Sequence, residues 1–310
     1  MFRQSVARLL AVICALAACA SASGADRKLV EERESPYNRI FVYEDDQFVV
    51  LTFGHNRRYY TETVYDKTDD LALPVTYTRF MSVALAYAPK VSSILEIGFG
   101  GGRTASYLHE QIKGAAITSV ELDPVVLELA KKYFGITPEK NLNVSVADGR
   151  IYLQRNKGPW DVIMVDAYRG PFVPFHLLTK EFFALAKSRL APGGVMVQNI
   201  EPTTMLFDSA IATIRSVFDN VDAYQADGNI VAVAYDGPPM DQATLKARAQ
   251  KLDQTYDLRY PITDMLAHRR IILKMPDGKV LTDDFAPVES LLAIERHNRK
   301  LEDYTEAPAP

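Results

Sequence analysis

The sequence predicts an α/β fold: a doubly wound, mostly parallel, seven-stranded sheet preceded by a small N-terminal β-hairpin domain. Two observations carry that expectation. From residue 91 to residue 236, short apolar runs alternate with helical stretches, the pattern of strands joined by crossover helices. Residues 94–102, Ile-Leu-Glu-Ile-Gly-Phe-Gly-Gly-Gly, run an apolar strand straight into a glycine turn ahead of a helix. Such a strand–turn–helix sets backbone N–H groups and a helix N-terminus against a nucleotide-like ligand.

The elements follow in order. Residues 39–43 and 48–53 alternate like strands around the acidic turn Glu44-Asp45-Asp46-Gln47, a hairpin signal that places a β-domain at 37–75. Residues 19–36 are polar and read as a linker. Thr76–Ala88 is an expected helix leading into the strand Ser93–Ile97, and the helix Arg103–Gln111 follows the glycine turn. Ala116–Val120 is the second strand. Asp123 is the expected cap of the helix Pro124–Phe134, with Pro124 at its first position. Strands at 142–146 and 160–165 come next. The helix Thr179–Leu190, the strand Val195–Gln198 and the helix Met205–Phe218 continue the alternation. Val221–Tyr224 and Ile230–Tyr235 sit close enough to pair as an antiparallel hairpin. A nucleoside-binding domain is thus expected at 76–240 and a helical extension at 241–305.

The glycines of the turn are Gly98, Gly100 and Gly102. A dinucleotide fingerprint would need a third glycine where Arg103 stands, so NAD chemistry is disfavoured. The form Glu96-x-Gly98-x-Gly100-x-Gly102 resembles instead the first motif of S-adenosylmethionine-type folds. Glu121 ends the second strand 23 residues after Gly98, where a carboxylate accepts hydrogen bonds from two ribose hydroxyls. Asp148, with Gly149, ends the third strand and is placed to accept from an adenine amino group. Asp166 ends the fourth. Three acids at successive strand ends define the rim where open parallel sheets bind ligands.

Composition narrows the classes. The 310 residues are 48% hydrophobic and 24% charged, ordinary for a globular chain. The net charge of −4 and the lack of basic runs argue against nucleic acid. Five scattered histidines offer no metal-ligand spacing, and no Gly-x-Ser-x-Gly turn begins a serine triad. Arg3 and Arg8 precede the apolar stretch Leu9–Ala18, which is an export signal too short to span a bilayer comfortably. Leu16-Ala17-Ala18-Cys19 resembles the bacterial lipobox. It makes residues 1–18 a signal peptide and Cys19 a lipidation site on the periplasmic face, with cleavage after Ala20-Ser21-Ala22 as the alternative. Cys14 and Cys19 are the only cysteines, so the remaining chain holds no disulfide.

With these residues in hand, the chain resembles the spermidine/spermine synthase (polyamine aminopropyltransferase) family over residues 35–236. The resemblance rests on Glu34-Ser35-Pro36-Tyr37 ahead of a hairpin, Tyr77 21 residues before Gly98, and the ordered set Gly98–Gly102, Glu121, Asp148-Gly149 and Asp166. Leu281–Val288 resembles the tail of bacterial members. The resemblance implies decarboxylated S-adenosylmethionine as co-substrate, held by the glycine turn, Glu121 and Asp148. It implies an amine substrate beside Asp166 and the substrate-side Tyr77; by position, Tyr168 is expected to help orient that amine, and Glu201, just past the strand Val195–Gln198, to take a second ammonium of a longer amine. It implies no metal, and it leaves a homodimer open.

The chain also departs from the family. Gly101 stands where the family's turn carries an aspartate, Arg169 where the strand-end segment carries its second acid, and Thr78 where the histidine or glutamine follows the substrate tyrosine. The nucleoside half of the site is kept better than the amine half. Arg169 either repels a polyammonium, selects an acidic substrate or pairs with Asp166. Two rival functions share the nucleoside site. One is an S-adenosylmethionine-dependent methyltransferase, with Arg103 pairing the donor carboxylate. The other is a non-catalytic exported lipoprotein that binds a nucleoside or polyamine.

Overall fold

The computed structural model describes residues 27–55, 58–137, 142–170, 172–271 and 278–284. The signal segment, Cys19 and residues 285–288 of the tail motif lie outside the described residues.

Four strands open the fold: β1 (Lys28–Glu34), β2 (Arg39–Glu44), β3 (Phe48–His55) and β4 (Arg58–Asp66). They pair antiparallel in chain order. The expected hairpin, β2–β3, is the centre of this sheet. The expected linker is corrected in part, because Lys28–Glu34 is a strand. Its charged sequence hides that role: β1 is an edge strand whose Glu31 and Arg33 reach Lys132 and Glu128 on a neighbouring helix.

The second sheet holds the expected alternation. Its strands are β5 (Ser93–Ile97), β6 (Ala116–Glu121), β7 (Asn143–Val146), β8 (Trp160–Val165), β9 (Leu190–Ile200), β10 (Asn220–Ala226), β11 (Asn229–Tyr235) and β12 (Arg269–Ile271). The order is β12-β10-β11-β9-β8-β5-β6-β7, with β9, β8, β5, β6 and β7 parallel and the other three antiparallel. The sheet extends one strand beyond the expected seven, because β12 pairs with β10 over three residues. The β10–β11 hairpin closes through the two residues Asp227-Gly228, with Asp227 at φ 52°.

Helices cover both faces, so the central strands are apolar without alternation. Val162 and Met164 of β8 face one core, Ile163 and Val165 the other. The crossover helices are α2 (Arg103–Gln111), α3 (Pro124–Tyr133), α4 (Gly149–Arg155), α5 (Lys180–Lys187) and α6 (Phe207–Arg215). Ahead of β5 stands α1 (Thr76–Phe80). The helix expected from Thr76 to Ala88 is split, since Met81–Ala86 tightens into a 3-10 turn and packs almost wholly buried. The extension from residue 241 holds α7 (Gln242–Tyr256) and α8 (Ile262–Met265) before β12 breaks its helical character.

The first sheet packs on α3 and the glycine turn through Ile40, Val42, Leu51, Phe99, Val126 and Phe134. That packing lays β4 across the rim of the second sheet.

Candidate active site

The parallel strands β5, β6 and β8 end together, and β4, α1 and the 3-10 turn at 175–177 wall in a cavity of about 330 Å³ above them. That volume suits a nucleoside-sized ligand. Among the described residues, every expected donor- or amine-site residue except Glu201 meets there or directly beneath it.

The glycine turn forms the floor. Gly98 has φ +98°, and a Cβ on it would stand 2.1 Å from the Asp166 carbonyl oxygen. No other residue lets β5 and β8 end this close together. Gly98 and Gly100 line the cavity, whereas Gly102 sits beneath the Phe99 ring as the N-cap of α2. Gly101 faces β4. Its N–H donates to the Thr63 hydroxyl at 3.0 Å, and a Cβ there would meet Thr63 at 2.6 Å and Phe134 at 2.8 Å. The turn therefore has no room for an acid at this position.

Glu121 binds that floor. Its Oε2 accepts from the N–H groups of Phe99 and Gly100 at 3.2 and 3.0 Å, and its Oε1 accepts from the Asp123 N–H at 2.9 Å. Burial raises the Glu121 carboxyl, and the three amide donors oppose that rise. Asp123 caps α3, accepting from the Val125 N–H at 3.0 Å. The Ser35 hydroxyl donates to its other oxygen at 2.5 Å, which ties the β1–β2 loop to the rim. Glu96 lies deeper, accepts from the Ser119 hydroxyl at 2.6 Å, and is pushed up to about 8 by burial.

Asp148 has two partners already. Its Oδ1 accepts from the Ile151 N–H at the start of α4, and its Oδ2 lies 2.7 Å from His176 Nε2. The His176 bond holds the Asp148 carboxyl below its ordinary range. Gly149 follows because a Cβ there would strike Ile97 Cγ2 at 2.3 Å.

Asp166 is the centre of the remaining chemistry. It accepts from Asn199 Nδ2 at 3.0 Å and from the Tyr77 hydroxyl. The Asn199 amide is oriented by Asn229, whose Nδ2 donates to Asn199 Oδ1 at 2.9 Å. Burial pushes Asp166 up to about 6, against the pull of the two donors. Tyr168 lines the same cavity and donates its hydroxyl proton to the Asn199 carbonyl at 3.0 Å.

Glu201 does not line this cavity: it lies in a small neighbouring pocket behind Tyr168, where Thr203 donates to it at 2.5 Å. Arg169 lines the cavity but does not pair with Asp166, because its Nε donates to the Tyr37 carbonyl at 3.0 Å. The suggested pairing of Arg103 with a donor carboxylate also meets a committed side chain. Its guanidinium donates to the carbonyls of Phe134 and Asp70 and stacks on Tyr65.

Sequence reasoning missed Glu62, Thr63, His176 and Asn199. Asn199 carried a signal, being polar at the end of the buried run Val-Met-Val-Gln-Asn-Ile. Glu62 and Thr63 carried none, because β4 reaches the site only through tertiary packing.

The geometry is thus a rim of strand-end carboxylates beside a carboxylate–phenol pair. The Spermine/spermidine synthase domain model matches residues 76–228, the stretch from α1 to the β10–β11 turn. A polyamine aminopropyltransferase of Vibrio vulnificus is 31% identical over 295 residues, spanning 91% of this chain and 97% of that protein. The chain belongs to the spermidine/spermine synthase family. Its fold matches that of a probable spermidine synthase from Corynebacterium glutamicum at TM-score 0.64 and 20% identity, covering 84% of this chain and 99% of that one. Human methyltransferase-like protein 13, solved in complex with SAH, aligns at TM-score 0.54 and 25% identity over 59% of this chain and 92% of that one.

Proposed function

We propose that this chain is a polyamine aminopropyltransferase, moving an aminopropyl group from decarboxylated S-adenosylmethionine to a di- or polyamine. The observation that carries the reading is Asp166, ionisable near neutrality and held between Tyr77 and Asn199 beside the nucleoside rim. In this reading Glu121 takes the ribose hydroxyls and Asp148 the adenine amino group, each adding the ligand to its present partners. The attacking amine nitrogen forms a bond to the carbon next to the sulfonium. The C–S pair leaves with sulfur as methylthioadenosine, and the amine proton passes to the Asp166 carboxylate. Free alkyl ammonium groups titrate near ~10, so a base of this kind is needed to expose the nitrogen pair.

The donor's charge is argued from the cavity walls. The basic side chains lining it are Arg103, which bonds the Phe134 and Asp70 carbonyls, Arg169, which bonds the Tyr37 carbonyl, and His176, which meets Asp148, and they are outnumbered by six acids, Glu62, Glu96, Glu121, Asp123, Asp148 and Asp166. A donor carboxylate would face acids instead, which supports the decarboxylated donor over S-adenosylmethionine itself. Asp166→Asn tests the assignment. Turnover is expected to fall at least 100-fold while methylthioadenosine affinity stays within about threefold. Unchanged turnover would remove Asp166 from the mechanism. The leader motif supports export and lipid attachment at Cys19, and a Cys19→Ala chain is expected to leave the membrane fraction.

A further inference from the structure

Glu62 is the one acid of the cavity wall with a shielded carboxyl oxygen in want of a partner among the described residues. Its Oε1 is shielded from solvent and accepts no hydrogen bond there, although the side chain lines the cavity. Leaving such a group unmatched costs ~1–3 kcal/mol, so the arrangement makes sense when a ligand supplies the missing donor. The other acids differ. Glu96 has Ser119, Glu121 has three amides, Asp148 has His176, and Asp166 has Asn199 and Tyr77. None of the three basic side chains of the wall bonds Glu62: Arg103 donates to the Phe134 and Asp70 carbonyls, Arg169 to the Tyr37 carbonyl, and His176 meets Asp148.

Position narrows the ligand. Thr63, the next residue on β4, holds the Gly101 N–H and pins the strand to the glycine turn. Glu62 is therefore fixed beside the glycine turn, close enough to the Asp166 and Glu121 carboxyls to share their field. We infer that Glu62 binds the primary ammonium of the nucleoside-bearing donor, leaving Asp166 for the attacking amine. The assignment rests on the aminopropyltransferase reading above. It gives this chain a carboxylate from the β-domain wall, where its glycine turn is too tightly packed against Thr63 and Phe134 to carry one. Burial and the nearby Asp166 and Glu121 carboxyls push Glu62 well up, and an ammonium at hydrogen-bond distance reverses that pressure.

Calorimetry with three ligands tests this: methylthioadenosine, 5′-dimethylthioadenosine (a sulfonium without the amine) and decarboxylated S-adenosylmethionine. In Glu62→Gln the affinity for the decarboxylated donor is expected to fall about 10- to 100-fold, the loss of one charged hydrogen bond. The other two ligands should change less than about threefold, and Glu62→Asp should recover part of the loss. Equal weakening of all three would assign Glu62 a structural role and overturn the inference, as would an unchanged donor affinity. Weakening of both sulfonium ligands alike would also overturn it, since Glu62 would then answer the sulfur charge and not the amine. Wild-type protein that binds no methylthioadenosine would overturn the nucleoside-site reading itself, and this assignment with it. Wild type that binds methylthioadenosine normally, with Glu62→Gln indifferent to the donor, overturns this inference alone.

Discussion

At the residue scale the site is governed by what burial does to carboxyl groups. Asp166 is raised from its ordinary 3.8 to about 6, because removing its charge from water outweighs the donors Asn199 and Tyr77. A base acts in its ionised form, so activity should be full above pH ~7 and fall toward tenfold per unit below pH ~6. The pH profile of kcat/KM checks this. An acid limb near pH 4 instead would mean that Asp166 is not the titrating base. Glu62, Glu96, Tyr77 and Tyr168 share its field, so the measured limb belongs to the group as a whole. Much of this site was legible beforehand. The glycines, Glu121, Asp148 and Asp166 sit at strand ends that hydrophobic patterning locates well, and Tyr77 was found through the resemblance. Glu201 lies in the neighbouring pocket instead, because loop residues announce their type but not their direction.

At the element scale the glycine turn is the feature the rest must fit. Gly98 combines φ +98° with a Cβ position 2.1 Å from the Asp166 carbonyl oxygen. Gly98→Ala thus adds backbone strain to a collision between two strands, and is expected to cost at least ~1–3 kcal/mol and to displace Asp166. Thermal melting and methylthioadenosine titration of this variant should both show losses. An alanine variant with wild-type melting and binding would refute the close approach of β5 and β8. The central strand β8 was legible because it is buried on both faces and its run Val-Ile-Met-Val is apolar without a break. By contrast, β12 was not, since three residues carry no period. Asp123 was legible as a cap because Pro124 stands directly behind it.

At the scale of the whole molecule, activity depends on the first sheet staying docked on α3, since β4 supplies Glu62 and Thr63. Charges help hold it. Glu31 on β1 accepts from Lys132 and from the Tyr133 hydroxyl, each at 2.6 Å, and these bonds hold its carboxyl down at about 2 against an ordinary 4.5. A group with a lowered folded pKa stabilises above its ordinary value, and that contribution is lost as pH falls from 4.5 toward 2. Wild type should therefore lose more melting temperature between pH 5 and pH 3 than Glu31→Gln does. Parallel losses in the two proteins would show that the contact does not stabilise the fold. This docking was invisible in the sequence, where Lys-Leu-Val-Glu-Glu-Arg-Glu reads as a solvated linker. Its charges serve a partner helix about 100 residues away.

The most direct test of the whole account is product analysis by mass spectrometry. Folded wild-type protein would be incubated with putrescine and either S-adenosylmethionine or its decarboxylated form. The expected result is methylthioadenosine and an amine heavier by one aminopropyl unit, in equal amounts, from the decarboxylated donor alone. S-adenosylhomocysteine with a methylated acceptor, or no product across a panel of di- and polyamines, would contradict it.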